Sequence, residues 1–411
     1  MAATLVTNIG LLQTPLGAQP AGGGAQGQNR KLRNASVLME NGVITAIGEN
    51  GRVPPCPAKA QVVDAGGGLA TPGFVDCHTH LVFGGWRQHE IPLKLQGAGY
   101  LDILRAGGGI LSTVRATRAM EENALFQRSM GFLDELLAQG VTTVEIKSGY
   151  GLNWETERKQ LLVIRRLGQT HPATVVPTFL GAHAIPEEYA GRAGEYMDFV
   201  CETVLPMVAA ENLAEFCDVF LEEGVFDVPQ SRRLLNKAKE LGLGIKIHAD
   251  EIAELGGSVL AGELGAVSAE HLIATGEKGI AALAKGGTIA ALLPCTSLYL
   301  NKTFAPARQM IAAGVPVAIA TDFNPGSCPS LNMGLCVTMG YLKYRMTPEE
   351  ILTAVTLNAA CAVGRGKTLG TLEPGKAGDI VLWKAEDMET LCYRMGSNLA
   401  SVVIKNGTVI E

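Results

Sequence analysis

Two histidines stand two residues apart in Asp76-Cys77-His78-Thr79-His80. On an extended segment such residues project to the same side, so both imidazoles can grip one ion. Three further histidines close or open compact runs: Phe179-Leu180-Gly181-Ala182-His183, His248-Ala249-Asp250-Glu251 and Glu270-His271. A carboxylate, Asp322, sits in Thr321-Asp322-Phe323-Asn324. Imidazoles with one carboxylate are what a borderline-soft cation such as Zn2+ or Fe2+ requires. Such an ion lowers the pKa of its bound water to about 7 and makes a nucleophile available at neutral pH. The expected chemistry is metal-assisted hydrolysis of a carbon–nitrogen bond. Asp322 could hold the ion and accept the water's proton, while His271 and His183 would donate to the carbonyl or amidine under attack. A single His-x-His run would carry little weight, and a lone histidine after a strand is usually structural. The argument rests on the whole set.

These residues share a place. From Pro72 to Arg365 the chain alternates short apolar runs with helical patterns. The strands are expected at Gly73–Cys77, Thr142–Ile146, Thr174–Leu180, Asp218–Leu221, Gly244–Ile247, Ala266–Ala269, Thr288–Leu292 and Val315–Ala320. Runs without strict alternation suit strands covered on both faces. Helices are expected at Asn123–Gln139, Trp154–Leu167 and Gln230–Leu241, each followed by a glycine that can end it. Such a series of strand–helix units points to a (β/α)8 barrel, whose functional groups sit at the C-terminal ends of the strands. The chemical residues above stand at those ends. A doubly wound sheet fits less well, because neither a GxGxxG nor a GxxxxGK[ST] run follows the first strand.

Both ends of the chain read differently. Ala35–Met39 and Val43–Ile47 flank Glu40-Asn41-Gly42, a tight-turn signal. Asp379–Trp383 is a further strand, and Val402–Ile404 with Thr408–Ile410 flank a turn at Lys405-Asn406-Gly407. The expected organisation is a small β domain built from residues 1–71 and 366–411 around a catalytic barrel of residues 72–365. Gly17–Asn29 reads as a flexible surface loop, His171 as a surface residue, and His89 as structural or at the rim. The Gly107-Gly108-Gly109 run invites a phosphate-loop reading, discounted because no Lys-Ser/Thr follows and no helix clearly begins there.

The totals agree. Hydrophobic residues make up 47% of the chain and charged residues 18%, enough for a large core. A net charge of −6 leaves no basic footprint for nucleic acid. No apolar stretch reaches the ~18 residues of a membrane span. The start lacks a secretory pattern, and nine scattered cysteines without a CxxC pair read as reduced thiols, so a cytoplasmic protein is expected.

The run Thr71-Pro72-Gly73-Phe74-Val75-Asp76-Cys77-His78-Thr79-His80 resembles the first metal motif of the amidohydrolase superfamily. That superfamily joins a TIM-like barrel to a small β-sandwich made from both termini. Five runs narrow the resemblance: Phe83-Gly84-Gly85-Trp86-Arg87, Lys147-Ser148-Gly149-Tyr150-Gly151-Leu152, Phe179–His183, Ile247–Glu251 and Ala320–Ser327. They are similar to the branch that opens 4-imidazolone-5-propanoate to N-formimino-L-glutamate in histidine degradation. The resemblance implies one ion per subunit, Zn2+ or Fe2+/Fe3+, held by His78, His80, His248 and Asp322. It implies that Arg87 takes the propionate carboxylate, that Tyr150 and His183 touch the substrate, and that Glu251 bonds the ring nitrogens and shuttles protons. His271 would polarise the ring carbonyl, and Asn324, Gly326 and Ser327 would line the far wall. A small-molecule substrate and a homodimer follow from the same likeness, with no nucleic acid or membrane partner. Binuclear members bridge two ions with a carboxylated lysine or a glutamate near the fourth strand. Here Lys147 lies at the second strand, while Glu222 and Glu223 follow the fourth, and one ion is expected. A deaminase of the same superfamily and a non-catalytic scaffold are the competing readings.

Overall fold

The computed structural model describes residues 3–97 and 107–410. Five strands come first: β1 (Ala3–Thr14), β2 (Arg30–Glu40), β3 (Val43–Gly48), β4 (Gln61–Asp64) and β5 (Leu69–Pro72). The middle supplies β6 (Phe74–Asp76), β7 (Val141–Lys147), β8 (Thr174–Ala182), β9 (Phe216–Leu221), β10 (Gly244–Ala249), β11 (Ser268–His271), β12 (Ile289–Leu292) and β13 (Val317–Ile319). The chain closes with β14 (Ile380–Trp383), β15 (Ala400–Lys405) and β16 (Thr408–Ile410).

Strands β6 to β13 form one parallel sheet in sequence order, an eight-stranded TIM-like barrel. All eight expected strands are present, with ends moved by up to two residues. The first and last strands meet just beyond their ends. Thr79 bridges Phe323, His78 O accepts from Asp322 N–H at 3.0 Å, and His80 N–H donates to Phe323 O at 2.9 Å. Buried Asp76 locks the same seam, accepting from Thr321 N–H at 3.1 Å and Thr321 Oγ1 at 2.5 Å. Closing the barrel therefore brings the His-x-His run against Asp322.

The terminal strands make a second sheet, ordered β16-β15-β14-β5-β1-β2-β3, with β4 also on β1. Both chain ends contribute: β5 pairs antiparallel with β14, Pro72 opposite Ile380. The expected tight turns are real, with Asn41 and Gly42 at φ 51° and 84°, and Asn406 and Gly407 at 48° and 70°. Only glycine and asparagine enter that region at small cost.

Four expectations need correction. The helix Trp154–Thr170 runs through Gly168 instead of ending there. Its start is fixed by Asn153, whose side chain accepts from Thr156 N–H at 2.9 Å. Its end is set by Pro172, which forces His171 out of the helical region, to φ −91° and ψ 144°. His171 is buried, not on the surface: Nε2 lies 3.2 Å from Asp134 Oδ1 and Nδ1 accepts from Ala173 N–H. The Gly17–Asn29 segment is pinned. Buried Gln26 pairs with Val317 along the open edge of β13, donating to its carbonyl and accepting from its amide, both at 3.0 Å. A helix, Ile110–Ala119, does begin after the glycine run, and Gly109 N–H is held at 2.7 Å by buried Glu90, so no phosphate is needed there. His89 is exposed.

Candidate metal centre and active site

The C-terminal ends of the barrel strands bring His78, His80, His248, His271, Glu251 and Asp322 together. His78 Nε2 and His248 Nε2 each lie 3.3 Å from His80 Nε2. Asp322 Oδ1 lies 3.3 Å from His78 Nε2 and 3.5 Å from His80 Nε2. Tetrahedral ligands at ~2.0–2.1 Å from Zn2+ stand about 3.3–3.4 Å apart, and each of these spacings suits two ligands sharing one ion, with His80 beside each of the other three. Asp322 Oδ1 is buried without a hydrogen bond, while Oδ2 accepts from Thr296 Oγ1 at 2.5 Å.

The imidazoles are aimed from behind. His78 Nδ1 lies 2.5 Å from Glu270 Oε2, and His248 Nδ1 lies 3.0 Å from Asp218 Oδ2. A carboxylate on the rear nitrogen fixes the ring and leaves the other nitrogen's lone pair free for a cation. Burial opposes charge on His78, but Glu270 outweighs it and lifts the ring to about 9. Burial, then His183, His78 and His248, hold His80 well below the usual range. Burial opposes ionisation of Asp322, but the facing His78 ring, then His271 and the Thr296 hydroxyl, hold it down at about 2.

Beneath lies an ion network that sequence reasoning did not find. Lys147 Nζ sits 2.8 Å from Glu145 Oε1 and 2.9 Å from both Asp218 Oδ2 and Glu270 Oε2, and all four side chains are fully buried. Lys246 Nζ lies 3.4 Å from Glu270 Oε1 and 3.8 Å from Glu145 Oε1. Burial disfavours the Lys147 ammonium, yet Asp218, Glu145 and Glu270 hold it well above the ordinary lysine value. With Asp322, these four carboxylates face two ammonium groups. With the histidines neutral, as ligands must be, two negative charges remain, and one divalent cation balances them. The residues present thus fit a single divalent metal in position, charge and donor type.

His271 and His183 flank the cluster. His271 Nε2 lies 3.7 Å from Glu251 Oε2, and the His271 ring also comes within ligand range of His78 and His248. His183 stacks on His80 at 4.9 Å, and its Nδ1 lies 3.1 Å from Gly149 O, which leaves Nε2 toward the site. Burial pushes both down to about 3, so both are neutral at pH 7. Burial, then the charges of Asp322 and Glu222, push Glu251 up to about 8. Tyr150 is buried beside His80 and His183, and burial raises its phenol.

The loop after β13 carries the far wall. Asn324 spends both ends of its amide on that loop: Oδ1 accepts from Gly326 N–H at 2.8 Å and Ser327 N–H at 2.7 Å, and Nδ2 donates to Asp322 O at 2.7 Å and Ser327 Oγ at 2.9 Å. Gly326 lies directly under the Arg87 guanidinium, where a Cβ would fall 0.8 Å from Nη2.

The amidohydrolase family model matches residues 69–410. The chain belongs to the amidohydrolase family. An imidazolonepropionase of Caldanaerobacter subterraneus subsp. tengcongensis is 47% identical over 401 residues, 98% of this chain and 96% of that one. An imidazolonepropionase of Bacillus velezensis is 48% identical over 408 residues, 99% and 96% of the two chains. Among solved structures, E. coli guanine deaminase superposes with a TM-score of 0.76 at 16% identity, covering 100% of this chain and 99% of its own. That likeness shows the amidohydrolase fold alone. Among the described residues, no helix is long and apolar enough to cross a membrane.

Proposed function

We propose that this amidohydrolase opens the ring C–N bond of 4-imidazolone-5-propanoate to give N-formimino-L-glutamate, with one divalent cation held by His78, His80, His248 and Asp322. The observation that carries it is His80 Nε2 standing 3.3–3.5 Å from His78 Nε2, His248 Nε2 and a free Asp322 oxygen, in a chain 47–48% identical to imidazolonepropionases over nearly its whole length. Bound there, the cation would acidify a water and polarise the ring carbonyl.

The chain's own groups do the rest. Arg87 offers a planar fork to the propionate carboxylate, with Gly326 and Ser327 beside it and Asn324 holding their loop. Tyr150 and His183 wall the ring. Neutral His271 donates an N–H to the carbonyl oxygen, a bond that strengthens as charge develops there. Asp322 Oδ1, the oxygen not tied to Thr296, receives the proton of the attacking water. Glu251 Oε2, raised toward neutrality, carries a proton to the departing ring nitrogen. Arg87 favours a carboxylate-bearing ring over the nucleobases that deaminases of this fold take. Nine free thiols suit a reducing compartment, and we place the protein in the cytoplasm. We take the assembly to be a homodimer, checked by light scattering.

The test is to measure metal per chain and ultraviolet loss of imidazolone propionate in one sample. The reading predicts turnover with about one Zn or Fe per chain, abolished by a chelator and restored by one equivalent of cation. Metal without turnover would overturn the substrate, and folded protein without either would overturn the hydrolase.

A further inference from the structure

Behind the ligand histidines, Asp218, His248 and Glu270 bring one donor atom each within 4.8 Å of one another, a spacing that could hold a cation. Asp218 Oδ2, Glu270 Oε2 and His248 Nδ1 are buried, and none makes a well-aligned hydrogen bond among the described residues. Besides the rear nitrogens of His78 and His248, what faces the two carboxylates is Lys147 Nζ, 2.9 Å from each and 2.8 Å from Glu145. Its contacts come from three different strands, β7, β9 and β11, as a metal's would.

We propose that the Lys147 ammonium is a covalently tethered stand-in for a second cation, and that it restricts the site to one metal. This inference rests on the single-cation reading above. The charge count supports it. With the first cation in place, removing Lys147 would leave one uncompensated negative charge among Glu145, Asp218 and Glu270, whose side chains are fully buried. Buried charges of that kind must be paired or coordinate a metal. The same geometry disfavours carboxylation of Lys147, since a carbamate would add a negative group among three carboxylates. A lysine therefore serves here as a charge and not as a bridging ligand.

The experiment compares wild type with Lys147→Ala after equilibration with excess Mn2+ and removal of free ion. Alanine removes the ammonium and leaves room for an ion with its water. Metal content should rise from about one to about two per chain, and the Mn2+ paramagnetic resonance spectrum should broaden through the proximity of two ions. Adding Asp218→Asn to Lys147→Ala should return the content to one. If Lys147→Ala does not fold in the apo form, excess Mn2+ should restore its melting transition. A wild type holding one ion and a folded Lys147→Ala holding one overturns this inference alone. Two ions retained in the double variant, or no rescue of an unfolded variant by Mn2+, overturns it equally. A wild type holding none overturns the single-cation reading first.

Discussion

Gly326→Ala separates recognition from folding. The added Cβ would lie 0.8 Å from Arg87 Nη2, 1.8 Å from Cζ and 2.4 Å from Nε. Gly326 lies outside the left-handed region, so the backbone accepts alanine without strain. The three atoms nearest the new methyl all belong to the far end of one flexible side chain. Arg87 therefore moves and the fold stays. To reach the ~3.5 Å usual between non-bonded heavy atoms, the guanidinium must retreat by nearly 3 Å, about the length of a hydrogen bond. If Arg87 holds the substrate carboxylate, a charged hydrogen bond worth about 1.5–3 kcal/mol is lost. That is roughly a 10- to 150-fold fall in kcat/KM. The loss should appear mainly in KM, since this contact is made equally in ground and transition states. The assay is steady-state loss of imidazolone absorbance, with a melting curve to confirm folding. In an Arg87→Ala background the same substitution should do almost nothing, because both remove one interaction. A folded Gly326→Ala enzyme within twofold of wild-type KM would refute the placement of Arg87 on the carboxylate.

Two further predictions follow from the site's electrostatics. Glu251, lifted to about 8 by burial and by Asp322 and Glu222, is protonated below that value, so a rate needing its proton falls as pH rises through it. Glu251→Gln should lower kcat by roughly 10²–10⁴ and flatten the alkaline limb of the pH profile. An unchanged limb would assign it to another group. Asp76 ties the barrel seam through two bonds from Thr321, both buried. Asp76→Ala strands both donors and should cost about 2–5 kcal/mol in urea unfolding. A loss under 1 kcal/mol would show that the seam holds without it.

Much of this was legible because a barrel strand announces its own end. A short apolar run stops where a chemical residue begins, as at His78, Lys147, His183, His248 and His271, and the fold puts those stops on one rim. The ion network was harder to see. Glu145 and Lys147 in β7, Lys246 and His248 in β10, and Ser268 and Glu270 in β11 each stand two apart, one residue inside the expected strand and one just past its end. Period two was the available signal, since residues i and i+2 share a face and here that face is the barrel interior. Nothing local reveals which lysine meets which carboxylate, because β7, β9 and β11 meet only through the tertiary fold. His171 and Gln26 were misread for a related reason. Polar residues beside Pro172 or in a glycine-rich loop look exposed until a distant partner, Asp134 or Val317, is placed against them.

The network and the loops divide the work in a way the fold makes durable. Charges that steer His78 and His248 sit within strands, at fixed register, with no water to exchange against. Any change there disturbs ring orientation, charge balance and packing together. Arg87, Tyr150 and Gly326 sit beyond the strand ends, where on the proposed reading a substitution would alter recognition of the substrate and leave the metal position alone. Gly326→Ala is such a change and Lys147→Ala is not. The barrel fixes where strand-end groups converge, and the loops above it are free to choose the ring.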